Sequence, residues 1–261
     1  MSETIVAIKV MREGRTGVIE LARPRASNCL TMQAFDDIGL ALSEFEAEPA
    51  MRAVIVRAQG KNFCTGADLS EVKAKRASRP GMDEFLRCGH RVLSALEASR
   101  LITVAAVQGL CLAGGLELVL ACDVAFSDRS ARFGDQHAEF GLAPGWGGSQ
   151  RLPRAIGLRR ALDLFLSARW IDAETAAAWG LVNYVSADGA LYQDALDYCA
   201  KVGERSREGL ALMKRLARRG LELRMTDALA LEMCEVAEPL LSSDVGEGIA
   251  AFEEKRKPRF R

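Results

Sequence analysis

The stretch that most constrains this chain is ITVAAVQGLCLAGGLELVLACDVAFS, residues 102–127. A β-branched apolar run is followed by paired glycines, then by a helical apolar pattern, then by a second strand-like run, DVAFS. The same order of strand, glycine loop and helix stands just upstream. There RAVIVRA precedes the loop QGKNFCTGADL, and a helix is expected from about Met82 to Ala98. This recurrence implies a β-rich core. Ahead of it, TIVAIKVMREGRTGVIELARP reads as a hairpin turning at Glu13-Gly14-Arg15. TMQAFDDIGLALSEFEAEP reads as a helix with Thr31 as N-cap and Pro49 beyond its end. From about residue 155 the pattern becomes mostly helical, closing with the charged tail GIAAFEEKRKPRF, and no low-complexity linker separates the halves. The division expected is a core over residues 1–195 and a helical region over 196–261.

Composition excludes several classes. Lys+Arg and Asp+Glu both number 35, so bulk charge points to neither nucleic acid nor a membrane surface. No apolar run approaches the roughly 18 residues needed to span a bilayer, and MSETIVAIKV lacks the basic start of a signal peptide. The seven cysteines are scattered without CxxC spacing, which predicts buried thiols in a reducing, cytoplasmic setting and no metal site.

Three segments carry candidate chemistry. After Gly114 and Gly115 a helix opens whose first amides have no intrahelical partner, and such amides attract an oxygen gaining negative charge. Glu117 follows among Leu116, Leu118, Val119 and Leu120, so an inward carboxylate is poorly solvated and its pKa rises. Two roles fit it: a general acid/base beside the amides, or a helix-start carboxylate favoured by the dipole. NFCTGADLS, residues 62–70, offers a second free amide, or is simply a turn. RFGDQHAEFGLAPGWGGSQR, residues 132–151, places Asp135, His137 and Glu139 within five positions. An extended backbone brings all three to one face, whereas a turn does not.

Together, NFCTGADLSEV, AAVQGLCLAGGLELVLACDVAF and ARFGDQHAEFGLAPGWGGSQRLPRAIG resemble the crotonase superfamily, and enoyl-CoA hydratases most closely. RPRASNCLTMQAFDDI and the C-terminal tail extend the resemblance over nearly the whole chain. It implies an α/β fold, a spiral of repeated ββα turns, with a helical C-terminal region forming homotrimers or dimers of trimers. It implies an acyl-CoA thioester substrate whose coenzyme A is part of the substrate, with no separate cofactor. The oxyanion donors carry over to the amides of Ala67 and Gly114. The coenzyme A contacts carry over to Arg25, Ala26, Ala67, Asp68, Leu69 and Ser70. Hydratases of this family use two glutamates. One matches Glu117, and the other position is occupied here by His137, which either exchanges protons near neutral pH or only shapes the pocket. His90 falls on the helix that lines the family's acyl pocket, or is simply a partly buried helix residue, and Trp146 either narrows or flattens that pocket or belongs to the core. Simple isomerases of the family keep a carboxylate at the His137 position, and dienoyl isomerases place an aspartate where Gly145 stands. The reading expected is reversible addition of water to a trans-2-enoyl-CoA. An isomerase using Glu117 alone, a thioesterase, and a thioester-binding paralogue with little catalysis are its alternatives.

Overall fold

The computed structural model describes residues 6–260. Two antiparallel strands, β1 (Ile8–Glu13) and β2 (Thr16–Leu21), form the expected hairpin. Helix α1 (Met32–Ala47) starts where Thr31 Oγ1 accepts the Ala34 N–H at 3.0 Å, the expected cap. Strand β3 (Ala53–Ala58) leads through the 59–68 loop into α2 (Leu69–Lys75), a short helix the sequence pattern did not reveal, and then α3 (Arg79–Ala98). The glycine unit becomes β4 (Ile102–Val107), β5 (Leu110–Leu112), α4 (Gly114–Leu120) and β6 (Val124–Asp128). It is followed by β7 (Arg132–Gly134), a 3₁₀ turn at His137–Phe140, α5 (Gly148–Ile156) and α6 (Leu158–Ser167). The chain ends in β8 (Ile171–Asp172), α7 (Ala173–Trp179), β9 (Tyr184–Ser186), α8 (Leu191–Gly203), α9 (Arg207–Gly220), α10 (Met225–Val236) and α11 (Ser243–Glu253).

Two sheets result. One has the order β1-β2-β3-β4-β6-β9, parallel from β2 onward, and the other has the order β5-β7-β8. An isolated bridge between Cys64 and Cys111 continues the second sheet upstream of β5. Successive turns thus place β3 then Cys64, β4 then β5, and β6 then β7, which is the expected spiral. β2 and β4 are buried throughout, as parallel strands covered on both faces must be. Along β3, Val54 and Val56 join the large core with α1 and α3, while Ala53 and Ile55 face α8. Each fully buried Leu or Ile there contributes roughly 1.5–3 kcal/mol.

The boundary expected at 195/196 falls inside α8. Ala195 and Cys199 lie on either side of it and pack together against the same face of the main sheet, so α8 belongs to the core. Beyond it, α9 and α10 bury no residue fully, and Met225, Leu229, Met233, Leu241 and Phe252 are exposed. The tail helix stops at Glu253, short of its expected end. All seven thiols are unpaired, and five of them are buried. Among the described residues no helix is long and apolar enough to cross a membrane.

Candidate active site

Strand ends build one half of the site from backbone alone. The Leu30 N–H donates to the Gly66 carbonyl at 2.8 Å, and the Asp68 N–H donates to the Leu30 carbonyl at 2.9 Å. That parallel bridge ties residues 66 and 68 and leaves the Ala67 N–H outside it. Opposite, Ala113 precedes α4 with φ 48 and ψ −117, a conformation that costs a residue with a Cβ of order 1–3 kcal/mol. It is held there because its N–H donates to Gly134 and its carbonyl accepts from Glu117, both at 3.0 Å. The two loops touch. A Cβ at Gly114 would lie 3.4 Å from the Ala67 nitrogen and 2.6 Å from the Trp146 ring, so only glycine fits. Among the described residues neither the Ala67 nor the Gly114 N–H donates to a protein acceptor. Two free amides at neighbouring loops can receive one oxyanion.

The other half is made of side chains. Glu117 is 1% exposed, and its Oε1 accepts the N–H groups of Trp146 at 2.8 Å and Gly148 at 2.7 Å. Burial raises its pKa, while those two amides and the charge of His137 hold back part of the rise. Its free Oε2 lies 4.0 Å from His137 Nε2. That separation is too long for a direct hydrogen bond and suits a small polar group held between the two. His137 Nδ1 is 3.0 Å from Oδ1 of Asp135, a carboxylate 2% exposed. Burial opposes charge on the imidazole, but the hydrogen bond and charge of Asp135, with Glu117, outweigh it and the His137 pKa is raised. Of the polar triplet, Asp135 therefore buttresses His137, while Glu139 turns out to solvent. The 3₁₀ turn, entered through Gln136 at φ 59, separates them.

A cavity of about 450 Å³ opens onto this site. Ala67, Leu112, Ala113 and His137 line its inner wall, Ala26, Cys29 and Leu69 flank it, and Phe140 and Leu142 form an exposed rim. A second depression of about 460 Å³ lies between the β1–β2 turn and α8, on the side of the main sheet away from Glu117. Arg25 is exposed on a 3₁₀ turn and is absent from the cavity wall. Asp68 caps α2, accepting from the Ser70 N–H at 3.1 Å, the Ser70 hydroxyl at 2.5 Å and Arg23 at 2.9 Å. The Ser70 hydroxyl, Arg23 and the Cys29 thiol hold its carboxyl well below the usual range, so both Asp68 and Ser70 spend their side chains on the loop itself.

Two acyl-pocket expectations part company. His90 is exposed, because the phase of α3 turns Phe85, Cys88, Gly89 and Val92 inward and leaves His90 on the outer side. Trp146 is 3% exposed and packs on Phe35 and Phe85 with ring centroids at 4.7 and 5.0 Å. It fills the space behind Gly114. Sequence reasoning left Asp135 open and overlooked Cys29, Gln136, Phe140 and Leu142 at the cavity. Only the acidic residue two places before His137 offered a signal.

Comparison with known proteins identifies the family and the fold. The family model described as enoyl-CoA hydratase/isomerase matches residues 12–261. A probable enoyl-CoA hydratase of Mycobacterium bovis is 35% identical, with 98% of each chain covered. The mitochondrial methylglutaconyl-CoA hydratase of Homo sapiens is 33% identical over the whole of this chain and 78% of its own. The crystal structure of an enoyl-CoA hydratase from Polaromonas sp. JS666 superposes with a TM-score of 0.94 at 30% identity, covering 98% of this chain and all of that one. The fold is thus that of the crotonase-type α/β proteins. The chain belongs to the enoyl-CoA hydratase/isomerase family.

Proposed function

We propose that the protein reversibly adds water across the double bond of a trans-2-enoyl-CoA. The observation that carries this reading is the 4.0 Å separation of Glu117 Oε2 and His137 Nε2 beside two unengaged backbone amides. The thioester carbonyl sits on the Ala67 and Gly114 N–H groups, which stabilise the enolate oxygen as it gains charge. Water held between Glu117 and His137 loses a proton to the Glu117 carboxylate while its oxygen bonds to C3. The electron pair of the double bond moves toward the thioester, and imidazolium His137 delivers a proton to C2. Asp135 supports the imidazolium form, and the two amides on Oε1 support the carboxylate form of its partner.

The coenzyme A portion runs past Ala26, Leu69 and the 67–70 loop, and no separate cofactor takes part. Trp146 closes the acyl site behind Gly114, which favours short acyl groups. The exposed apolar residues of α10 and α11 form contacts between subunits in a homotrimer or a dimer of trimers; light scattering of the purified protein would reveal a monomer if this is wrong. The unpaired thiols fit a cytoplasmic setting. Incubation with trans-2-enoyl-CoAs of graded length in oxygen-18 water tests the reaction. Label is expected in a 3-hydroxyacyl-CoA. Double-bond migration, or release of free thiol, without label would replace hydration with isomerisation or thioester hydrolysis.

A further inference from the structure

The turn that brings two amides to Glu117 is itself held from behind. Residue 146 faces two ways: its N–H donates to Glu117, and its carbonyl accepts from Arg151 Nη1 at 2.7 Å. The rest of the Arg151 guanidinium forks onto Glu97 of α3, with Nε to Oε1 at 2.9 Å and Nη2 to Oε2 at 2.5 Å. Glu97 Oε1 also accepts from Arg218 of α9 at 3.0 Å, and Arg218 reaches Asp123 at 2.8 Å. Between these anchors Gly147 has φ 105, and a Cβ there would lie 2.1 Å from Arg151 Nη1. The turn therefore has a backbone shape and a missing side chain that together admit this guanidinium.

We propose that Arg151, clamped by Glu97 with Arg218 behind it, is a positioning residue that keeps the Trp146 and Gly148 amides on Glu117. The inference rests on the reading of Glu117 as the group that takes the proton from water. A planar fork that binds a carboxylate with two donors and a carbonyl with a third is a geometry lysine does not reproduce. Arg151 and Glu97 are 15% and 25% exposed at their side chains, so water competes for them only in part. The pathway also runs into the C-terminal helices, because Arg218 belongs to α9 and shares Asp123 with Lys214 at 2.7 Å.

The consequence is specific. The two amides favour the charged form of Glu117 against its burial, so releasing them moves its pKa up. The titratable groups facing Glu117 are His137 and Asp135, and a change at Arg151 touches neither. None of the cavity-lining residues is on α5, so substrate affinity has no direct reason to change.

The test measures kcat and KM against pH, with thermal unfolding alongside, for Arg151→Gln, Arg151→Lys and Glu97→Gln in the full chain. The substrate is whichever enoyl-CoA takes up oxygen-18. Both Arg151 variants should lower kcat by about 10–100-fold, since a misplacement of about 1 Å at a reacting group can cost about 10²-fold. KM should stay unchanged and the acid limb of the kcat profile should move to higher pH. Glu97→Gln should do the same to a smaller extent, and it carries the test with Arg151→Lys if Arg151→Gln fails to fold. Folded variants that lose only Tm, with kcat and the acid limb of the parent, would overturn the proposal. Glu117→Gln measured in parallel separates the two levels. Full activity there removes the reading of Glu117 itself, whereas an inactive Glu117→Gln beside parent-like Arg151 variants removes only the positioning role.

Discussion

The two halves of the site are made of different material. The half we propose as the oxyanion hole is backbone: the Ala67 and Gly114 amides, fixed by strand-end hydrogen bonds and by glycines that let two loops touch. The half we propose for proton transfer is side chain: Glu117, held by two amides of the 146–148 turn, and His137 and Asp135, which hold each other within one loop. A backbone donor survives changes of residue type as long as the local φ and ψ survive and the new side chain has room, which Trp146 denies at Gly114. A titrating side chain survives none. Chemistry should therefore be lost most readily in the second half with binding retained, and the first half should respond mainly to conformational change.

The sharpest break is Glu117→Gln. The amide oxygen can still accept from Trp146 and Gly148, so the turn stays in place, but no base remains. General acid–base catalysis contributes typically 10²–10⁴-fold, so kcat should fall by about 10³-fold. Dissociation of a non-reacting acyl-CoA, measured by calorimetry, should barely change. Retained turnover would mean that the side-chain half does not carry the reaction.

Asp135→Asn is milder and asks about pH. Burial alone lowers the His137 pKa, and Asp135 is the main reason it is raised instead. Without that carboxylate the imidazolium is lost at lower pH, so the alkaline limb of the kcat profile should move down and kcat near pH 8 should fall about tenfold, or 1.4 kcal/mol. Stability follows the same sign. A raised folded pKa stabilises fully below the unfolded imidazole value of about 6.5 and loses its effect as pH rises through the folded value. The variant should thus be most destabilised at mildly acid pH and least at alkaline pH. An alkaline limb that stays where it was would remove Asp135 from the scheme.

The same division governs what was legible before the structure. Backbone devices leave marks in residue type: Thr31 announces a cap and paired glycines announce the Gly114 amide, and in the side-chain half only Glu117, an acid among leucines, is marked as plainly. Side-chain meetings leave weaker marks. Asp135 reaches His137 because Gln136 takes φ 59, a left-handed conformation that glutamine does not advertise. His90 was misplaced because one step of helix phase decides between core and solvent, and Gly89, which meets Trp146, holds the inward position. Arg151 and Glu97 stand 54 positions apart, and no local pattern pairs them. Helix α2 is short and charged, so its apolar face is too small to stand out.

The smallest effect tests the backbone half directly. Ala113 holds φ 48 and ψ −117 so that the next amide, that of Gly114, stays outside the helix ladder. Glycine adopts this conformation freely, and the relief of order 1–3 kcal/mol is offset by about 0.5–1 kcal/mol of added chain entropy in the unfolded state. Ala113→Gly should therefore stabilise by about 1 kcal/mol, read as a Tm higher by about 2–4 °C. Because the Ala113 N–H to Gly134 and the carbonyl to Glu117 are retained, the oxyanion amides keep their place and kcat should not change. A Tm that falls would show that the methyl contributes more by packing against the Gly66 loop than its backbone costs. The backbone half would then depend on side chains after all, and the contrast between the two halves would narrow to the titrating groups alone.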